Sequence, residues 1–112
     1  MERVEFVVRG KGVETVPEAI SGVPQDKRVD YDGDGFRVVT TEQYYLRTNS
    51  NLQATTIIEL LDETTCRVAI ISGGGGSGLL GSTMGSESSE ANKLARKIEE
   101  YCAERGLDVE RA

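Results

Sequence analysis

Histidine is absent from the 112 residues of this chain. Its absence removes the commonest general base, the usual partner of a catalytic nucleophile and the commonest metal ligand. The composition therefore argues against an enzyme, and it proposes no catalytic residue, no metal ligand and no cofactor. Cysteine is scarce. Cys66 and Cys102 lie far apart and without C-x-x-C spacing, which leaves neither a disulfide framework nor a zinc site. Each falls on the apolar side of its local pattern, as a buried thiol acting as a small hydrophobe would. Long apolar runs are missing as well, and none reaches the roughly 20 residues that span a bilayer. The opening, MERVEFVVRG, places charges inside its apolar run, unlike a signal peptide, so a cytoplasmic protein is expected. Clusters of Lys and Arg are also lacking. With a net charge of −6 and a pI near 4.7 the chain is acidic. Such a field repels nucleic-acid backbones and anionic lipid, so neither nucleic acid nor membrane is expected as a partner.

What remains is an ordinary globular composition, 38% hydrophobic and 29% charged, of a length that fits a single domain over residues 1–112. In RVEFVVR, Arg3 to Arg9, Val4, Phe6 and Val8 face one way and Glu5 and Arg9 the other, which is the period of a half-buried strand. In VETVPEAISGVP a short helix could start at Thr15, with Pro17 in its first turn and Gly22 at its end. The stretch from Lys27 to Asn49 reads as strand, turn and strand, with the DGDG at 32–35 suited to a hairpin and a further turn near Thr41–Gln43. QATTIIELL is β-branched and strand-like, DETT is a polar turn, and CRVAIIS is another strand. Finally, Ala91, Leu94, Ala95, Ile98, Tyr101 and Cys102 recur at helical spacing. Ser86 is placed to cap that helix and Gly106 to stop it.

The predicted order is β-(α)-β4-α. Short turns between consecutive strands predict a mainly antiparallel sheet, with one long C-terminal helix across one face of an α+β fold. This order resembles the TATA-binding-protein-like and helix-grip folds.

Two motifs invite sharper readings. GGGGSGLLGSTMG, Gly73 to Gly85, contains G-x-G-x-x-G at Gly76, Gly78 and Gly81. A dinucleotide site would need CRVAIIS and LDVE as parallel neighbours, with the helix as their crossover and Glu110 as the ribose acid. The helix starts well past the glycines, however, and Glu110 stands farther from Gly78 than the roughly 20 residues that fingerprint expects. A glycine corner passing close to the sheet is the simpler account, with an anion nest of backbone N–H groups as the alternative. DYDGDG, Asp30 to Gly35, copies the start of a calcium loop, but its twelfth position is Thr41 rather than Glu. It reads as an acidic hairpin turn. In YYLR, alternation sends one tyrosine into the core and sets the other beside Arg47.

Taken together, Tyr44, Tyr45, Arg47, Ser50, Gly73 to Gly76, Gly78, Leu79 and Gly85 resemble a family of small uncharacterised bacterial proteins. That family has a Tyr-Tyr-x-Arg strand and a glycine cluster ending in Gly-Leu before its last helix. The resemblance spans residues 44–90, and Met84 departs from it by standing where an aromatic is expected. It implies a domain of unknown function, and it implies that the tyrosine–arginine segment and the glycine loop are neighbours in space.

The leading expectation is a non-enzymatic protein-interaction or self-associating module, a homodimer included, because exposed sheet edges pair readily. Tyr44 and Tyr45 are its candidate contacts. The alternative is a small ligand held between sheet and helix, or a phosphate or nucleotide anion at the loop. There Gly73, Gly74, Gly75, Gly76, Ser77 and Gly78 would supply amides and Arg47 a counter-charge.

Overall fold

The computed structural model describes residues 2–23, 25–45, 50–74 and 86–112. Six strands form one sheet: β1 (Glu2–Arg9), β2 (Lys27–Gly33), β3 (Phe36–Tyr45), β4 (Ser50–Asp62), β5 (Thr65–Gly74) and β6 (Asp108–Arg111). Their order is β2-β3-β4-β5-β1-β6, and every neighbouring pair is antiparallel. A 3₁₀ helix, Val13–Gly22, follows β1, and the α-helix α1, Ser86–Glu104, follows β5. The fold is α+β, as the pattern of elements predicts.

The 3₁₀ helix lies where the short helix was expected, and its type has a readable cause. Val13, Val16 and Ala19 are buried, and a three-residue spacing lines up at 3.0 residues per turn. Pro17 inside the segment withholds one backbone donor from it. The β2–β3 hairpin closes on Asp34 and Gly35, with Gly35 at φ 82°, a conformation glycine adopts without a Cβ penalty. No break occurs near Thr41–Gln43. β3 runs through it, because each of these residues pairs with β4 across Ala54, Gln53 and Leu52. In the β4–β5 turn Asp62 Oδ1 accepts from the Thr64 amide at 2.9 Å. Hydrogen bonds from Thr64 and Thr65 hold the Asp62 carboxyl below its ordinary range.

α1 stops as Gly106 predicted. Gly106 sits at φ 71° and its N–H donates to the Ala103 carbonyl, while the Leu107 N–H donates to the Cys102 carbonyl at 2.8 Å. These are the two bonds of a Schellman cap, and the apolar residue that follows the glycine, Leu107, is buried. The chain then forms β6, a strand absent from the predicted order. It pairs with β1 through Val109↔Val8 and its neighbours. Since β5 and β6 are both antiparallel to β1, they run the same way with β1 between them. α1 is thus a crossover, but the strands it joins do not touch. The dinucleotide arrangement, in which they must pair, is not formed.

One face of the sheet meets the helices. Val4, Phe6 and Val8 of β1, Val68 and Ile70 of β5, and Ile58 of β4 share a core with Leu94, Ile98 and Cys102 of α1 and with Val13, Val16 and Ile20 of the 3₁₀ helix. Gly10 completes this closure: at φ 142° it passes so near Leu107 that a Cβ there would lie 2.6 Å from Leu107 Cδ2. α1 packs on β5, β1, β4 and β6, and the 3₁₀ helix on β4 and β5. Strand β2 meets the 3₁₀ helix through Arg28, whose Nη1 donates to Ser21 Oγ.

Candidate functional site

Strand register decides which predicted site residues meet. Gly73 and Gly74, the last residues of β5, lie opposite Gln53 and Leu52 of β4, which in turn lie opposite Glu42 and Gln43 of β3. Tyr44 and Tyr45 end β3, opposite Asn51 and Ser50. The tyrosine segment and the start of the glycine cluster therefore occupy one end of the sheet, one strand apart. Tyr44 is not a core residue: it is 40% exposed. Its backbone N–H donates to Asp26 Oδ2 at 2.7 Å, and the Asp26 N–H donates to the Glu42 carbonyl at 2.9 Å. Gly75, Gly76, Ser77, Gly78 and Arg47 lie outside the described residues, as does the Tyr45 side chain.

The acidic hairpin carries its own counter-charges. Arg28 donates from Nε and Nη2 to both oxygens of Asp30, at 2.7 and 2.9 Å, and from Nη1 to Ser21 Oγ at 2.8 Å. That bidentate contact lowers the Asp30 pKa and raises that of Arg28. Asp32 accepts from Arg37 Nε. Two of the carboxylates that spell the start of a calcium loop are thus engaged by guanidinium groups. Among the described residues no three of Cys, Asp and Glu converge as a metal site.

Both thiols are buried, and burial pushes each up to about 11, with Cys102 adding to the effect at Cys66 and Glu99 to that at Cys102. At neutral pH neither offers the thiolate that nucleophilic chemistry needs. Between sheet and α1 the space is filled by Phe6, Ile70, Leu94 and Ile98, all at most 1% exposed. A cleft of about 210 Å³ lies elsewhere, beside the 3₁₀ helix, lined by Glu14, Pro17, Phe36, Arg37 and Ile58 among others. It falls below the roughly 300–1,000 Å³ of small-molecule sites, whereas a second, open cleft of about 550 Å³, lined by Lys11, Glu14, Leu60, Asp62 and Glu63 among others, falls within that range.

The most distinctive surface is the sheet face turned away from α1. Directly paired residues share a face, so Tyr31↔Val38, Val38↔Ile57 and Ile57↔Ala69 make one apolar row across four strands. A second row, Val29–Thr40–Thr55–Ile71, runs beside it. Val29 is 69% and Tyr31 65% exposed, and the Tyr31 and Phe36 rings lie 6.3 Å apart. Phe36 folds over Gly33, whose missing Cβ leaves room for the ring. The charges around these rows are paired within the chain: Arg67 with Glu59 at 3.1 Å, Arg9 with Glu110 at 3.2 Å, and Arg3 with Glu5. An acidic molecule thereby presents a face whose charges largely cancel.

These apolar residues were missed as a site, though a signal was present. β4 and β5 carry apolar residues on both alternating sets, Ile57 with Ile58 and Ala69 with Ile70. A strand covered on one face only needs apolar residues on one set.

No protein-family model matches the chain, and no curated protein matches it either. The resemblance to small bacterial proteins of unknown function rests on the quoted residues alone. Among the described residues, no helix is long and apolar enough to cross a membrane.

Proposed function

We propose that the domain is a non-enzymatic protein-interaction module, and that it self-associates through the sheet face turned away from α1. The observation that carries this reading is the in-register row Tyr31–Val38–Ile57–Ala69, flanked by Val29 and Ile71, which no described element covers. Scattered exposed apolar residues are ordinary, whereas a contiguous apolar strip rimmed by polar groups marks an interaction surface. Buried, protonated thiols and the lack of histidine favour binding over catalysis as the use of this domain. Light scattering on the full chain tests the reading. The weight-average mass should rise above that of one chain at tens of micromolar, and a constant single-chain mass would contradict self-association.

A second reading has its own support. The register that brings Gly73 and Gly74 to the same sheet end as Tyr44 favours an anion held by the glycine amides, with Arg47 as counter-charge. Titration of phosphate, ADP and NAD against the amide resonances of Gly73 to Gly78 decides it. Saturable shifts support an anion site, and unmoved resonances remove it.

A further inference from the structure

The two edges of the sheet are unlike. β6 is a four-residue edge, and it is guarded by charge: Asp108, Glu110 and Arg111 line it, with Glu110 tied to Arg9 and Arg111 to Glu99. Short, charged edges resist pairing with another chain. β2, at the other edge, has seven residues and carries Val29 and Tyr31, the two most exposed large apolar side chains among those described. Its helix-side charges partly complement themselves when the strand is reversed, arginine against aspartate at the outer positions. Arg28 stands near one end and Asp30 and Asp32 toward the other on the helix-bearing side of the sheet, while Lys27, Val29 and Tyr31 lie on the uncovered side.

We infer that β2 pairs edge to edge with β2 of a second copy, antiparallel across a two-fold axis perpendicular to the sheet, so that two six-stranded sheets become one. This inference rests on the reading that the domain self-associates, but it places the contact at the β2 edge and leaves the rows of the uncovered face open. Such an axis keeps both uncovered faces on the same side, so each residue meets one of its own face. Centred on Asp30, the pairing engages the whole of β2. Arg28 then stands opposite Asp32 of the second copy and Val29 opposite its Tyr31, each contact occurring twice, while Asp30 meets its own copy on the axis, a single like-charge contact flanked by the two Arg28 groups. Centred on Val29, Arg28 meets Asp30 of the second copy instead. In both registers each guanidinium gains a carboxylate, and the two apolar strips join into one. A parallel, in-register pairing would place Arg28 beside Arg28 and each aspartate beside its own copy, a like-charge arrangement that is destabilising. The Arg28 fork is already held at this edge by Ser21 and Asp30, which limits the side-chain entropy lost on docking.

The full chain is tested by analytical ultracentrifugation, with hydrogen exchange read at amides 27–33 and circular dichroism as a check of folding. Wild type should dimerise with slowed exchange along β2. Arg28→Asp should weaken the dimer about tenfold or more, since two like-charge contacts replace two attractive ones. Adding Asp32→Arg to that variant should restore dimerisation for the register centred on Asp30, and adding Asp30→Arg should do so for the one centred on Val29. A dimer indifferent to all three variants, or with β2 amides unprotected, overturns edge pairing while leaving self-association through the sheet face standing. A chain that stays monomeric overturns both. Dimerisation weakened by Arg28→Asp but restored by neither partner change also overturns the proposed pairing.

Discussion

The two faces of this sheet are built from the same strands and meet different fates. On the helix-bearing face, Phe6, Val8, Val68 and Ile70 are fully buried against α1 and the 3₁₀ helix. On the other, Tyr31, Val38, Ile57 and Ala69 form an equally continuous row with nothing described above it. β1 alternates almost cleanly between the two environments, with charged Arg3, Glu5 and Arg9 facing outward and Val7 the one apolar residue among them. β4 and β5, in the middle of the sheet, do not. The difference separates two uses of apolar surface. Where helices cover it, the strip holds the domain together. Where they do not, it is available to another molecule.

Mutations on the two faces should diverge most in stability. Phe6→Ala removes a fully buried ring and should cost about 3–5 kcal/mol in urea denaturation. Ile98→Ala, its counterpart on α1, should cost about 2–5 kcal/mol. Next comes Gly10→Ala. Here a side chain must adopt φ 142° and push Leu107 aside, and a loss of roughly 1–3 kcal/mol in the same assay is expected. Gly35→Ala shares a positive φ but meets open space, so it should cost less than Gly10→Ala.

A pH profile sharpens the contrast from the buried side. Both thiols have folded pKa values near 11 against an ordinary value of 9.0. A raised folded pKa means the unfolded chain loses its proton first, so the stabilising contribution is complete below pH 9 and is lost as pH rises toward 11. Thermal melts should therefore fall progressively across that window, and Cys66→Ala or Cys102→Ala should flatten the fall while lowering stability at pH 7. The smallest stability effect belongs to the open face. Tyr31→Ser or Val29→Thr should change unfolding free energy by less than about 1 kcal/mol, yet lower the associated fraction seen by light scattering.

Much of the fold was legible because local rules and tertiary packing agree. β1 follows its alternation, the acidic hairpin turns at Asp34–Gly35, and α1 ends in the cap that Gly106 announces. Disagreement arose where tertiary pairing overrode local character. Polar Thr41 to Gln43 look like a turn, yet β4 supplies a full ladder of partners. LDVE is too short to declare itself, and it becomes a strand because β1 offers an open edge. Apolar residues every third position in the 3₁₀ helix match neither the 3.6-residue period of an α-helix nor the two-residue period of a strand. The candidate site was less legible. Alternation shows that one set of residues in β4 is buried, but not that helices cover only one side. The glycine motif, the loudest feature of the sequence, contributes Gly73 and Gly74 to the end of β5.

Methyl-resolved NMR over a concentration series gives the most direct test of the central claim, that the uncovered face is the working surface. Methyl resonances of Val29, Val38, Ile57 and Ile71 should shift together as concentration rises, while those of Ile70, Leu94 and Ile98 on the covered side stay fixed. Resonances that stay fixed on the open face, or shifts confined to the helix side, would contradict it.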